Sequence, residues 1–138
     1  MMSLSNDITF GTNLALAARM LNSQRTDADH RVGVVIRAIE GDLARTWTVS
    51  QMAALVGVSD AQLRRVFARA MRASPLQVLC NLRLQAAARL LEDSRIRVKE
   101  IQARVGFADP SHFSRDFRCR FGVSPTEYRT RRTASADV

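Results

Sequence analysis

The sequence is short of the residues on which several classes of protein depend. Its 138 residues include two cysteines, two histidines and one lysine. Cys80 and Cys119 form no CxxC pair, which excludes a cysteine-based zinc site and is typical of a reducing compartment. The apolar stretches are far shorter than the ~20 residues that span a bilayer. No basic segment opens the sequence as in a signal peptide, so we expect a cytoplasmic protein.

Catalytic signatures are equally scarce. His30 and His112 lie far apart in the sequence, and neither has a nucleophile placed beside it. The sequence also has no glycine-rich phosphate loop. We therefore expect no enzymatic activity, no cofactor and no metal site. The hydrophobic content of 46% is enough for a buried core and argues against a disordered chain.

The charge is strongly positive and unevenly placed. The net charge is +8, 20 of the 21 basic residues are arginine, and the sequence pI is near 11.3. Residues 1–28 sum to zero, so the whole excess lies in residues 29–138, with 19 basic against 11 acidic residues. Such a balance indicates a polyanionic partner. Charge alone leaves open whether this partner is DNA, RNA, a membrane surface or an acidic protein.

The spacing of apolar residues is helical almost throughout, which predicts an all-α fold. Asp29 is the expected N-cap of the first helix, whereas Arg97 gives the fifth helix no good cap. Four other starts carry a hydroxyl followed three residues later by Gln or Glu, the pattern of a capping box. These pairs are Thr48–Gln51, Ser59–Gln62, Ser74–Gln77 and Ser124–Glu127. The seven predicted helices cover residues 30–44, 49–56, 60–71, 75–92, 98–105, 110–121 and 125–131.

The chain also repeats itself, first at an offset of 49 residues and beyond Gly57 at an offset of 50. Each copy is a short helix, a turn with Gly57 or Gly106, a longer helix, and a Ser-Pro pair that opens another helix. Two short helices joined at a glycine are typical of a helix-turn-helix. The matching positions are Val49/Val98, Ala54/Ala103, Val56/Val105, Leu63/Phe113, Arg65/Arg115, Phe67/Phe117 and Met71/Phe121.

The second helix of each copy has the make-up of a DNA recognition helix. Its apolar stripe faces a core, and arginines are left on the other faces. Arg65 and Arg115 occupy equivalent places, and the planar guanidinium can bind guanine bidentately. The alternative is that each is a surface arginine paired with a nearby acid. His112 is either a DNA contact or an exposed or capping residue, and we expect the Ser59 capping box to occupy Gln62.

A long helix joins the two copies. From Pro75 to Glu92 it has about 18 residues and a length of about 27 Å. Successive major grooves on one face of DNA lie roughly 34 Å apart. A rod of this length would allow one chain to read two adjacent grooves without dimerising, with DNA bending if the spacing falls short. A plain core helix is equally compatible with the sequence.

At this level of detail the sequence resembles the DNA-binding domain of the AraC/XylS family of bacterial transcription regulators. The resemblance covers about residues 30–131 and is carried most specifically by residues 105–115, VGFADPSHFSR, and 121–125, FGVSP. It implies an all-α fold of two helix-turn-helix subdomains joined by a linker helix. The recognition helices would enter neighbouring major grooves of double-stranded DNA. The family's regulators also contact RNA polymerase, usually to activate transcription.

The resemblance carries a set of DNA contacts onto this sequence. Ala61 is small where stand-alone members carry a bulky reader, so we expect fewer base contacts from the first copy. Asp116, beside Arg115, would weaken phosphate binding or orient the arginine. The candidate base readers are Asp60, Ala61, Arg64, Arg65, Asp109, Ser111, His112 and Arg115. The candidate phosphate contacts are Arg69, Arg72, Arg118 and Arg129.

The predicted layout is an N-terminal lead, two subdomains, a linker and a tail. Residues 13–21 are a candidate short helix within the lead. It could be the stump of a missing domain or a weak dimer contact, but we favour simple packing or a disordered lead. The segments are 1–28, 29–74, 75–92, 93–132 and 133–138. We expect this chain to be a monomer, with dimerisation left to a missing domain. The alternative functions are a protein-interaction module or the DNA-binding fragment of a larger ligand-sensing regulator.

Overall fold

The protein is built from helices. A computed structural model describes residues 26–136, and within this range it contains seven helices and no strand, as the sequence predicts. The helices are α1 (Thr26–Gly41), α2 (Val49–Leu55), α3 (Asp60–Met71), α4 (Pro75–Leu91), α5 (Val98–Val105), α6 (Pro110–Phe121) and α7 (Pro125–Ala136). The predicted helix at 13–21 and most of the predicted lead lie outside the described residues.

The chain forms two compact units. The first contains the described residues up to Asp42 together with Thr46–Cys80. The second contains Leu43–Arg45 and the described residues from Asn81 onward. Helix α4 begins in the first unit and ends in the second. Each unit holds one pair of short helices, which we call the first pair (α2 and α3) and the second pair (α5 and α6).

The core of the first unit is formed where α1 packs against both helices of the first pair. The apolar stripe of α3 supplies Leu63, Phe67 and Met71, all buried as their i, i+4, i+8 spacing predicts. Trp47 is also buried, and its indole N–H donates to the carbonyl oxygen of Asp42 at 2.9 Å. The remaining core residues are Val32, Val35, Ile36, Ile39, Val49, Met52, Ala53, Val78 and Leu79.

The second unit has an aromatic core. Phe113 and Phe117 of α6 are fully buried, with ring centroids 5.8 Å apart in an edge-to-face arrangement. Phe121 and Tyr128 continue the cluster, each with its centroid within 5.4 Å of the Phe117 ring. Phe107, in the turn between α5 and α6, stacks on Phe113 from the other end at 5.1 Å. The aromatic residues of the repeat therefore act in packing, as their spacing predicts.

The predicted capping residues form the helix starts. Gln51, Gln62 and Gln77 each donate a backbone N–H to the hydroxyl three residues before, and each amide oxygen accepts from that residue's backbone N–H. Glu127 N–H donates to the Ser124 hydroxyl at 3.2 Å. Arg97 makes no side-chain capping hydrogen bond, so α5 begins without one.

The turns inside the two pairs have the same geometry. In the first pair, Val58 N–H donates to the carbonyl of Ala53, and Gly57 stands at φ +67°. In the second pair, Phe107 N–H donates to the carbonyl of Gln102, and Gly106 stands at φ +100°. This six-residue closure with a left-handed glycine is the Schellman motif. The repeat seen in the sequence is therefore a repeat of backbone conformation.

Gly106 also lies against a contact within the second unit. The Nε of Arg83, on α4, donates to the carbonyl oxygen of Leu43 at 3.0 Å. A Cβ placed on Gly106 would lie 2.8 Å from both of these atoms. At Gly57 the same Cβ would meet no atom within 4 Å among the described residues. The second turn therefore needs glycine for space as well as for conformation, whereas the first needs it for conformation alone.

Helices α2 and α4 each end one residue earlier than predicted, and two other helices, α1 and α7, differ by more. Helix α1 covers Thr26–Gly41 instead of residues 30–44, so Asp27 and Asp29 lie in its first turn and Asp29 is not its N-cap. Beyond Gly41, the carbonyls of Leu43 and Arg45 accept hydrogen bonds from Arg83. Helix α7 runs on to Ala136 instead of ending at 131. Residues 132–136 show little helical periodicity of apolar residues, and the prediction relied on that periodicity.

The two glycines give a test of the turn. Gly106→Ala is expected to lower the free energy of unfolding by about 3 kcal/mol, from left-handed strain of about 1–2 kcal/mol and disturbance of a charged hydrogen bond. Gly57→Ala should cost only about 1 kcal/mol, because the strain is partly offset by lost freedom in the unfolded chain. Urea denaturation followed by circular dichroism measures both. Equal losses would show that Arg83 does not restrict the second turn.

Candidate nucleic-acid interface

The second helix of each pair presents an exposed face opposite its buried stripe. On α3 this face carries Arg64, Arg65, Arg69 and Arg72, all exposed. None of the four side chains makes a hydrogen bond or ion pair with another residue in the described range. We call these four arginines the basic face of the first pair. Because they are extended, charged and unpartnered, they are available to bind phosphate or base edges.

The other candidate readers of the first pair are less available. Asp60 is half-buried, and its carboxylate accepts a hydrogen bond from the Ser50 hydroxyl at 2.8 Å. This bond ties the start of α3 to the start of α2. Ala61 is exposed but offers only a methyl group, and Gln62 is engaged in the capping box as expected. The available polar readers of the first pair are therefore Arg64 and Arg65.

In the second pair most candidate readers have a partner. Asp109 is the N-cap of α6 and accepts from the backbone N–H of Ser111 at 2.9 Å. His112 Nε2 lies 2.8 Å from a carboxylate oxygen of Asp116, one turn along the helix. Ser111 and Arg115 are exposed. The side chain of Arg115 makes no hydrogen bond or ion pair to another described residue, so it is the available cation of this helix.

The carboxylate of Asp116 contacts a residue other than Arg115. The sequence suggests that Asp116 either weakens phosphate binding or orients that arginine. In the structure the carboxylate lies against His112, a contact that the i, i+4 spacing allows on a helix, and weakened phosphate binding stays a prediction. The imidazole of His112 also meets the ring of Phe107 edge-on at 5.9 Å. His112 is thus positioned by two neighbours.

The phosphate candidates fall into two groups. Arg69 and Arg72 belong to the basic face, whereas Arg118 lies 3.6 Å from the carboxylate of Glu127. Arg72 is also the only non-glycine residue of the described range at positive φ, with φ +54° and ψ +35° as the C-cap of α3. A left-handed conformation costs a residue with a Cβ roughly 1–2 kcal/mol. The equivalent C-cap of α6 is Gly122, at φ +82°.

Arg129 has a structural role. Its side chain is half-buried, and its Nε donates to the carbonyl of Leu91 at 3.0 Å. One terminal nitrogen donates to the carbonyls of Asp93 and Ile96. The guanidinium thus satisfies the carbonyls that follow the end of α4, which argues against a phosphate contact. Sequence reasoning missed this because the three acceptors are backbone atoms 33 to 38 residues away.

The loop that Arg129 closes also holds an exposed ion pair. Arg95 donates to both carboxylate oxygens of Asp93, and these hydrogen bonds lower the pKa of that carboxyl. Because the pair is solvent-exposed, it adds little to stability.

Among the described residues, no cluster of His, Cys, Asp and Glu is suited to holding a metal ion. No helix described by the structure is long and apolar enough to cross a membrane.

The sequence matches a family model and several known proteins. A family model described as a helix-turn-helix domain matches residues 52–131, more than half of the chain. The chain is 36% identical over 101 residues to the RCS-specific transcriptional activator RclR of Escherichia coli, covering 73% of this chain and 36% of that protein. It is 34% identical to the transcriptional regulator MtrA of Neisseria gonorrhoeae, covering 73% and 34%. It thus spans about a third of the curated relatives it matches.

Solved structures are similar over nearly their whole length. The DNA-binding domain of AdpA, a global transcriptional factor solved with a target DNA, has a TM-score of 0.70 and 33% identity. The match covers 73% of this chain and 91% of that one. A probable AraC family regulator from Rhodopseudomonas palustris has a TM-score of 0.68 and 31% identity, with 75% and 97% covered.

The role of Arg129 can be separated from DNA binding. Arg129→Met is expected to lower the free energy of unfolding by about 2–3 kcal/mol, because buried carbonyls lose a charged donor. Arg131→Met is the matched control, since Arg131 is exposed and lacks a hydrogen-bonding partner among the described residues, and it should change stability by less than about 0.5 kcal/mol. Urea denaturation measures both. An Arg129 variant as stable as the control would restore the phosphate assignment.

Proposed function

Because the chain belongs to the AraC-type family of helix-turn-helix DNA-binding domains, we propose that it binds specific sequences in double-stranded DNA and thereby regulates bacterial transcription. The observation that carries the proposal is the repeated pair of helices with a common turn, each presenting an exposed, unpartnered arginine at the same place. These residues are Arg65 on α3 and Arg115 on α6. A helix of this kind reads base edges in the major groove.

The proposed mechanism divides the contacts by chemistry. Arg65 and Arg115 bind guanine through O6 and N7, because two parallel N–H donors of a guanidinium match these two acceptors. The remaining arginines of the basic face bind phosphates and set the orientation of the protein on the duplex. Ser111 adds a short polar reader at the start of α6. Asp60, Asp109 and His112 contribute indirectly, because each binds a neighbouring group of the protein. Asp60 binds the Ser50 hydroxyl, Asp109 the Ser111 amide and His112 the Asp116 carboxylate.

The cellular role follows from the relatives. One is named a transcriptional activator, and we propose that this chain likewise contributes to activation through contact with RNA polymerase, in the cytoplasm. Because those relatives are about three times as long as the matched segment, we propose that the chain corresponds to their DNA-binding part. Two helix pairs in one polypeptide also lead us to propose that a monomer reads one continuous, asymmetric site in adjacent major grooves.

Alanine substitution tests the two reading arginines. On a sequence obtained by in vitro selection, Arg65→Ala and Arg115→Ala should each weaken binding by about 1–3 kcal/mol and relax preference at one base pair. Arg→Lys at the same positions should not restore the preference, because an ammonium cannot make the bidentate contact. Arg131→Ala is the control. A uniform loss over all sequences would make these residues phosphate contacts, and no loss for either would refute their role.

The stoichiometry tests the single-chain site. One protein molecule should protect one uninterrupted, asymmetric stretch of the selected duplex. Footprinting defines the stretch, and sedimentation of the complex gives its composition. An obligatory two-to-one complex on an inverted repeat would contradict the proposal, because it would mean that each chain reads only half of the site. Binding to an acidic protein with no affinity for duplex DNA would identify an interaction module instead.

A further inference from the structure

The exposed faces of α3 and α6 differ in charge at equivalent positions. The two helices correspond at an offset of 50 residues, with Leu63, Phe67 and Met71 matching the buried Phe113 and Phe117 and the half-buried Phe121. Of the four arginines of the basic face, only Arg65 has an arginine counterpart, Arg115. The other three have neutral counterparts: Arg64 corresponds to Ser114, Arg69 to Cys119 and Arg72 to Gly122. Helix α6 in turn has two arginines where α3 has alanine, but both have neighbours: Arg118 lies 3.6 Å from Glu127, and the half-buried Arg120 lies over the Phe121 ring.

Acidic residues also differ, because Asp60 of α3 corresponds to the neutral Pro110 and the second unit has carboxylates where the first has neutral residues. Asp116 and Glu127 of the second unit correspond to the neutral Val66 and Gln77 of the first. In the structure Asp116 lies 2.8 Å from His112, and Glu127 lies 3.6 Å from Arg118. A carboxylate near an interface competes with phosphate for the cation and repels the phosphate itself. The second face is therefore partly neutralised by its own side chains.

The backbone at Arg72 is an independent observation that points the same way. Arg72 and Gly122 are equivalent C-caps, and both adopt the left-handed conformation. Glycine takes this conformation without a steric penalty, whereas arginine does so under strain. A strained residue in a position where glycine serves elsewhere in the same fold suggests that its side chain has a function. Here the residue adds a fourth exposed arginine directly after the end of α3.

We propose that the two helix pairs contribute unequally to DNA binding. The basic face of the first pair supplies most of the electrostatic attraction to phosphates, and the second pair acts mainly through Arg115. This inference rests on the proposed function and adds a division of labour to it. Each arginine that neutralises a phosphate releases a condensed counterion, so the division is measurable as salt dependence.

A triple variant tests the first pair. Arg64→Ser, Arg69→Ser and Arg72→Gly together replace three arginines of the basic face by the small neutral residues of the second pair, with serine in place of Cys119. The slope of log affinity against log salt should become shallower by up to about 2.7, at about 0.9 for each phosphate that is no longer neutralised. The fall in affinity between 50 and 200 mM salt would then be about 40-fold smaller. Fluorescence anisotropy with a labelled duplex of mixed sequence, about three helical turns long, measures the slope.

Two further variants complete the test. Arg31→Ser, Arg37→Ser and Arg89→Ser remove the same charge from α1 and α4, so this control should change the slope much less. Ser114→Arg with Cys119→Arg gives the second pair two arginines of the first and should steepen the slope by up to about 1.8. The second variant keeps the proposal testable if the triple variant is poorly folded, which its melting temperature will show.

The possible outcomes distinguish a failure of the unequal contribution of the two helix pairs from a failure of DNA binding itself. A shallower slope for the triple variant than for the control, together with a steeper slope for the added arginines, supports the division. If the triple variant and the control lose equal slope, net charge governs binding and the division is wrong, although DNA binding stands. If the unmodified protein shows no salt-dependent binding to duplex DNA, the proposed function fails and the division fails with it.

Discussion

The glycine turn inside each helix pair is the constraint on which the rest of the structure depends. A single left-handed glycine ends the first helix of the pair. It allows the next residue to donate a backbone hydrogen bond across a six-residue turn, and this turn determines where the second helix begins. Gly57 meets this need in open space. Gly106 meets it with the Arg83–Leu43 hydrogen bond directly against its backbone. Because the turn fixes the direction of α3 and α6, it also determines which of their residues are buried and which are left exposed.

Much of the fold can be read from the sequence because its signals are local. Apolar spacing predicts the bounds of α3, α5 and α6 as the structure has them, and capping pairs or Ser-Pro steps predict the starts of α2, α4 and α7. The errors occur where a distant residue decides the outcome. Residues 42–44, predicted as the end of α1, lie outside it, and the carbonyls of Leu43 and Arg45 bind Arg83, about forty residues later. No local pattern announces such a contact.

The site was harder to predict because arginine serves two purposes in this chain. Arg83 and Arg129 bind backbone carbonyls and hold loops in place, whereas the arginines of the basic face remain unpartnered among the described residues. The side chain is the same in both cases, so composition and clustering cannot separate them. What separates them is whether a loop end with unsatisfied carbonyls lies within reach. Carboxylates among the candidate readers likewise have structural partners: Asp109 caps a helix, and Asp60 accepts a hydrogen bond from Ser50.

The repeat shows why the fold and the specificity of such a protein can change independently. Turn and core positions are tied by backbone conformation and by packing, and they match between the two copies. An exposed position such as Ser114 or Arg64 is constrained neither by backbone conformation nor by packing, so a substitution there leaves the helix in place. The same freedom extends to backbone strain, since the C-cap accepts Arg72 in one copy and Gly122 in the other. The two copies thus present unlike surfaces on one architecture, and it is the surface that a charged duplex meets.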